Sequence, residues 1–295
     1  MIRVVSLAAV VVGCVTATGQ PGGARPPEPP KGLRVYHASH SFMWYVPGQL
    51  GELAAAAGIK DHQQVGLQKI GGSTTLAHWN HMRGKNEARK TLEAGGADVF
   101  VMSPIGFPDE GVENFVRLGL EHNPKLRFLV QVSWGGADID NQDFPKGISD
   151  KVDREKTPEA LAKLFTRNVA AAEAQADALN KGYGKGGRVV FLVPSAQGQA
   201  ALRTRIARKE LPGVAKQDDL FTDTVCHPTA PLQVFNSYLH YAALYRASPV
   251  GLPAPEALAK AGRPGWDAKL NAALQELAWE TAARYAPSGI RPGRE

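Results

Sequence analysis

Apolar positions recur along this chain in two alternating rhythms from residue 33 onward. Leu33 to Ala38 reads as a short strand. Pro47 to Gly58 then sets Leu50, Leu53, Ala54 and Ala57 at helical spacing and ends on a glycine stop. Gln64 to Ile70 reads as a second strand broken by Gly71-Gly72-Ser73, and Lys85 to Leu92 as a short charged helix closed by Gly95-Gly96. Asp98-Val99-Phe100-Val101-Met102 is a third strand whose continuous apolar character predicts burial on both faces, as in a parallel sheet. Asp109 caps the next helical pattern, with Val112, Phe115 and Val116 on one side.

Arg127 to Val132 is a fourth strand, ending in Ser133-Trp134-Gly135-Gly136, and an acidic irregular stretch follows from Ala137 to Arg154. Thr157-Pro158-Glu159 opens a long helix striped by Leu161, Leu164, Phe165 and Val169. Arg188 to Val193 is a fifth strand and Gln197 to Lys209 a further helix. Residues 211 to 228 read as a long loop, Pro231 to Tyr245 as a helix, and Trp266 to Tyr285 as the last helix. Strands alternating with helices predict βαβ units: an α/β, three-layer α/β/α sandwich with a five-stranded parallel sheet. No internal repeat and no second domain boundary interrupts residues 33–295.

The N-terminus follows neither rhythm. Arg3 precedes an almost purely apolar run from Val4 to Val12, too short for a mature membrane span, so residues 1–18 read as a signal peptide. Val11-Val12-Gly13-Cys14 also resembles a lipoprotein box, which makes a lipid anchor at Cys14 the one membrane attachment to consider. Plain cleavage near Ala17-Thr18-Gly19 is favoured over it, because the basic region is minimal. Residues 19–32 are rich in proline and glycine and form a tether. Export by either route leaves Cys226 alone, so no intramolecular disulfide is available.

Composition changes little in this picture. Hydrophobic residues make up 43% and charged residues 21% of 295, an ordinary globular balance. The net charge of +6 is spread without a Lys/Arg block or aromatic-basic alternation, so no nucleic-acid partner is expected.

Candidate chemistry gathers where the strands end, since open α/β sheets place their sites outside the carboxyl ends of the strands. Ser41, Gly71-Gly72, Ser103 and Trp134 all fall there. A lone strand-end serine more often caps a helix; it becomes a nucleophile only with a base in reach. His227 lies in a loop with Asp218, Asp219 and Asp223, directly before a helix start. There is no Gly-x-Ser-x-Gly elbow, no Walker loop, and no Gly-x-Gly-x-x-Gly after the first strand, so no nucleotide cofactor is expected. His37/His40 and His78/His81 form two His-x-x-His pairs without a third ligand at diagnostic spacing. With eight histidines in the chain, coincidence is favoured over a metal site, and a metal-dependent hydrolase is the weakest alternative.

The order of these parts resembles the SGNH, or GDSL-type, hydrolase superfamily, over about residues 33 to 250. Ser39-His40-Ser41 stands at the family's nucleophile block and Ile70-Gly71-Gly72-Ser73 at its glycine block. The His-Ser-Phe and Ile-Gly-Gly-Ser stretches are similar to those of divergent exported members from planctomycete-type bacteria. The resemblance implies a flavodoxin-like SGNH fold with Ser41 as nucleophile, His227 as base, Asp223 as the orienting acid and Gly72 as a backbone oxyanion donor.

Two blocks depart from the pattern. Met102-Ser103-Pro104-Ile105-Gly106 lacks the family's asparagine, leaving Ser103 as a positional substitute and Asn80 as another donor to consider. Asp223 lies four residues before His227 rather than three, so a bulge at Val225-Cys226 is required. His40, Trp79, Asn80 and Trp134 are expected to bind substrate, with tryptophans stacking on a sugar ring. The expected function is an exported serine esterase acting on a small-molecule or polysaccharide ester, an acetylated carbohydrate being favoured. The alternative is a non-catalytic SGNH-like carbohydrate-binding protein, suggested by the missing asparagine and the tryptophans.

Overall fold

Each apolar run forms a strand, and all five strands pair in parallel. In the computed structural model, which describes residues 28–82, 85–143 and 152–291, these are β1 (Arg34–Ser39), β2 (Gln63–Lys69), β3 (Val99–Met102), β4 (Arg127–Gln131) and β5 (Val190–Val193). The sheet order is β2-β1-β3-β4-β5. Every residue of β3 and β5 is buried, as expected for strands covered on both faces, whereas β2 at the edge is largely accessible.

The helices are α1 (Val46–Ala56), α2 (Thr75–Asn80), α3 (Glu87–Glu93), α4 (Glu110–His122), α5 (Pro158–Leu161), α6 (Thr166–Tyr183), α7 (Ser195–Ala207), α8 (Ala230–Tyr245), α9 (Glu256–Lys260) and α10 (Ala268–Arg284). One layer holds α1, α8, α7 and α10, and the opposite layer holds α2, α3, α4 and α6. The sheet between them carries the core: Phe100 stacks on Tyr36 within the sheet and meets Phe115 of α4. Helix α8 is buried almost along its whole length, matching its apolar character on every side. The signal-peptide expectation and Cys14 lie outside the described residues, as do residues 19–27 of the tether and 144–151 of the irregular stretch.

Three elements differ from expectation. The long helix from Pro158 stops after one turn and restarts at Thr166, because Phe165 takes a left-handed backbone (φ 62°) that lets both Leu161 and Phe165 reach the core. Helix α2 has no apolar stripe to announce it. Its first amides are capped from afar: Thr75 N–H and Leu76 N–H donate to the Asp109 carboxylate at 2.5 and 2.9 Å. The same carboxylate caps its own helix through Gly111 N–H at 2.9 Å. Burial pushes the Asp109 carboxyl above its ordinary range, although these amides oppose the shift. The third difference is α9, a short turn after Pro255 that the sequence reading did not include.

The topology decides where a site can form. From β1 the chain crosses to β2 on one side and then returns to β3 on the other, so the connections leave β1 and β3 in opposite directions. That switch opens a crevice outside the carboxyl ends of β1 and β3. Ser41 lies two residues beyond β1, at its lip.

Candidate active site

Ser41 sits in the tight turn between β1 and α1, closed by Met43 N–H to the His40 carbonyl (3.1 Å) and Val46 N–H to the Met43 carbonyl (3.0 Å). His40 N–H donates to Ser103 Oγ at 3.1 Å, tying the exit of β1 to that of β3. The serine hydroxyl meets the distant loop: Ser41 Oγ is 2.8 Å from His227 Nε2 across 186 residues of sequence. On the other side of the ring, His227 Nδ1 is 2.6 Å from Asp223 Oδ2. A carboxylate only accepts, so Nδ1 carries the hydrogen and Nε2 presents its lone pair to the serine O–H.

The four-residue spacing is accommodated by backbone geometry. Cys226 N–H donates to the Asp223 carbonyl at 3.2 Å, and Cys226 itself adopts a left-handed conformation (φ 73°). This turn sends His227 N–H to Asp223 Oδ1 at 3.1 Å while the ring meets Oδ2. Thr222 N–H to the His227 carbonyl (2.8 Å) and the Phe221–Pro228 bridge close the neck of the loop. Partial burial alone would raise the Asp223 carboxyl, but hydrogen bonds from His227 N–H, the His227 ring and Val225 outweigh it and hold the group below its ordinary range.

A buried ionic hub fixes the loop from behind. Arg203 of α7 makes a bidentate pair with Asp138 at 2.6 and 2.7 Å, donates to Gln217 at 2.8 Å, and donates to the Arg154 carbonyl at 2.6 Å. Arg154 in turn donates to the Asp223 carbonyl and pairs with Asp218 at 2.5 Å. Both Arg203 and Asp138 are essentially without solvent exposure (0% and 2%), so neither charge has water to fall back on.

Beside Ser41 lies a cavity of about 60 Å³ lined chiefly by Phe42, Gly72, Ile105, Ser133, Trp134 and Val225. An open groove of about 540 Å³ continues from it, sharing Gly72, Ile105 and Asn141 and running to Asp109 and Glu110. A wider groove of about 630 Å³, between α6, α7 and α10, is lined by neither Ser41 nor His227, so chemistry rather than volume locates the site. Gly72 has φ +56°, a conformation that favours glycine, and its amide, like that of Ser41, meets no acceptor among the described residues. Two free N–H groups beside a serine hydroxyl form an arrangement that can receive an oxyanion.

Of the other expected site residues, His40 and Trp134 line the cavity and Ser103, Asn80 and Trp79 do not. Ser103 does not line the cavity; its Oγ accepts the His40 amide and its role is structural. Asn80 ends α2 on the surface, also outside the cavity. Trp79 packs edge-on against Phe115 (5.1 Å between rings) with Arg89 over its face, so it cannot stack on a ligand. Trp134 does line the cavity but is buried: Phe42 stacks on it at 5.0 Å, and its indole N–H donates to the Cys226 carbonyl at 3.1 Å. His40 lines the cavity too, with its ring engaged by Phe42 N–H and Ser133.

The histidine pairs diverge. His37 is buried on the other face of β1 near His240, His78 is enclosed by Gln68 and Ser73, and His81 is on the surface. Among the described residues no cluster of three His, Cys, Asp or Glu side chains could hold a metal.

Sequence reasoning passed over Ser133, the arginine hub, and Asn141, whose Nδ2 donates to the Ile105 and Ser133 carbonyls. One signal was available. Arg203 falls between Leu202 and Ile206 on the apolar side of its helix, where an arginine must find a buried carboxylate.

No family model and no curated protein matches the chain. Among solved structures it is similar to a DUF4886 family protein from Bacteroides uniformis, with a TM-score of 0.55 and 13% identity over 85% of this chain and 95% of that one. A "putative SGNH hydrolase" from Slackia heliotrinireducens aligns with 16% identity and a TM-score of 0.42 over 73% of this chain and all (100%) of the other. A "putative GDSL-like lipase" from Parabacteroides merdae aligns with 11% identity and a TM-score of 0.45 over 73% and 96%. At 13% identity the likeness to the first of these shows the fold alone.

Proposed function

We propose that this protein is a serine hydrolase that cleaves acyl esters through an acyl-enzyme. The observation that carries the proposal is the continuous chain Ser41 Oγ–His227–Asp223, with links of 2.8 and 2.6 Å. Ser41 attacks the acyl carbonyl as its proton passes to His227 Nε2. Asp223 holds the ring in the tautomer this transfer needs, and the Ser41 and Gly72 amides receive the oxyanion. The small apolar cavity supports a short acyl group such as acetyl, and the open groove beside it, which runs to Asp109 and Glu110, supports a bulkier polar alcohol portion such as a carbohydrate. A carbohydrate-binding protein without catalysis loses its main support, because Trp79 and Trp134 are packed into the protein rather than presented to a ligand.

Export through residues 1–18 belongs to the same proposal. N-terminal sequencing of protein recovered outside the cytoplasm tests it, and an intact Met1 there would count against it. Among the described residues no helix is long and apolar enough to cross a membrane.

The deciding experiment is turnover of a chromogenic acetyl ester together with labelling by a fluorophosphonate. Wild-type protein is expected to do both, and Ser41→Ala neither, with its melting temperature unchanged. Equal turnover by the two proteins would remove Ser41 from the mechanism.

A further inference from the structure

Hydrogen-bond accounting around the cavity leaves one proton without a partner. Ser133, two residues beyond β4, lines the cavity with Ser41 and Gly72 and is buried. Its Oγ is 2.8 Å from Gln131 Nε2 and 3.3 Å from His40 Nε2. The tautomer of His40 is set by Phe42: a backbone N–H can only donate, and that of Phe42 points at Nδ1 at 3.3 Å. The neutral ring therefore carries its hydrogen on Nε2, facing Ser133 Oγ, with the Pro104 carbonyl also within reach of the ring. Burial, reinforced by His78 nearby, pushes the His40 pKa down to about 3, so the ring stays neutral at ordinary pH. The Gln131 amide is oriented by its other end, where Oε1 receives Asn236 Nδ2 at 2.9 Å and His240 Nε2 at 2.8 Å.

A hydroxyl oxygen offers two lone pairs and one hydrogen. Both lone pairs of Ser133 are occupied by donors, and its hydrogen has no acceptor among the described residues. Ser133 lines the cavity, so that hydrogen has the cavity to turn into. We propose that Ser133 is a side-chain oxyanion donor, completing the pair of amides from Ser41 and Gly72. The inference rests on the serine-hydrolase reading and supplies the third donor that the stretch after β3 lacks.

The step balances simply. The Ser41 oxygen bonds to the carbonyl carbon as its proton moves to His227, and the carbonyl π pair moves onto oxygen. That oxyanion receives hydrogen bonds from Ser41 N–H, Gly72 N–H and Ser133 O–H. Collapse re-forms the carbonyl and breaks the bond to the alcohol, which leaves with the proton from His227. Water then repeats the sequence on the acyl-enzyme and returns free Ser41. Because the Ser133 hydroxyl is held by two buried donors, it needs little reorganisation as charge develops.

The test uses the full chain with p-nitrophenyl acetate as substrate and phenylboronic acid as a tetrahedral mimic. Ser133→Ala is expected to lower kcat by about 10²-fold with KM little changed, and to weaken phenylboronic acid in the same proportion as kcat/KM falls. Ser133→Thr, which keeps the hydroxyl, should recover most of the loss. A folded Ser133→Ala protein with wild-type kcat overturns the proposal while leaving the hydrolase reading intact. Activity that survives Ser41→Ala overturns the hydrolase reading itself, and the Ser133 proposal falls with it. Should Ser133→Ala lack a cooperative melting transition, Ser133→Cys decides by the same criteria, since a thiol fills the space but donates weakly.

Discussion

The two sides of the candidate site are built from opposite materials. The serine side rests on the sheet. Ser41 follows β1 directly, and its turn is held by backbone bonds and by uncharged buried groups, Ser103, Ser133 and the neutral His40. The histidine side has no sheet beneath it. Asp223 and His227 stand on a loop that is more than a third exposed at both side chains, and buried charges brace it from behind. Trp134 joins the two, stacked on Phe42 of one side and hydrogen-bonded to Cys226 of the other. A hydrogen-bonded ladder positions a nucleophile cheaply, whereas a long loop needs strong, directional partners to hold one geometry against its conformational entropy.

That contrast can be broken from either side. The largest effect is expected from Asp223→Asn, which leaves the ring held but in the wrong tautomer. Ester turnover should fall by about 10³–10⁴-fold. Thermal stability should barely move, because a contact between side chains this exposed contributes little. A loss of less than tenfold would mean that Asp223 does not orient the base. Next comes the hub. Arg203→Met leaves the buried Asp138 carboxylate with Lys156 Nζ, 3.7 Å away, as its remaining cation and should cost about 3 kcal/mol in chemical denaturation. A midpoint equal to wild type would show that the loop needs no such brace.

Acid is expected to strike the serine side. The folded-state pKa of His40, about 3, lies below the ordinary histidine value. The unfolded chain therefore takes up a proton that the folded one refuses, and stability present above about pH 6.5 is lost as pH falls toward 3. Between about pH 6.5 and 4, His40 alone accounts for about 3 kcal/mol. Chemical denaturation of His40→Gln across that range should show a slope shallower by one proton, and an identical slope would contradict the assignment. Buried His240 and His78, held down to about 3 and about 4, should steepen the wild-type curve further. The smallest effect is Trp134→Phe, which keeps the stacking on Phe42 and removes only the N–H to Cys226. About 1 kcal/mol is expected from a thermal melt, since one buried carbonyl loses its donor.

Legibility followed locality. The strands, α1, α4, α8 and α10 were readable because each carries its own signal: an apolar run, a proline start, an Asp cap or a 3.6-residue stripe. Helix α2 was not: Thr74 caps it locally, but it has no apolar stripe, and its first two amides are received by Asp109, more than thirty residues downstream. Trp79 was misplaced for the same reason: once that segment coils, its ring turns onto α4 instead of the crevice. Ser103 and Ser133 are both strand-end serines in sequence. Only the packing of His40 between them separates one that supports a backbone amide from one that lines the cavity.

Sequence alone was enough to place Ser41 after the first strand, Gly72 after the second and a histidine beside aspartates near the start of α8, because strand ends and turn residues are local properties of the chain. Whether these residues meet is not local. Closing a loop of 186 residues to a 2.8 Å contact depends on sheet order, on the left-handed backbone of Cys226 and on two buried arginines. Of those only Arg203 carries a local signature, an arginine on an apolar helix side, and that does not name its partners. The tertiary structure alone decided that Ser41 meets a histidine and that Ser133 shares its cavity.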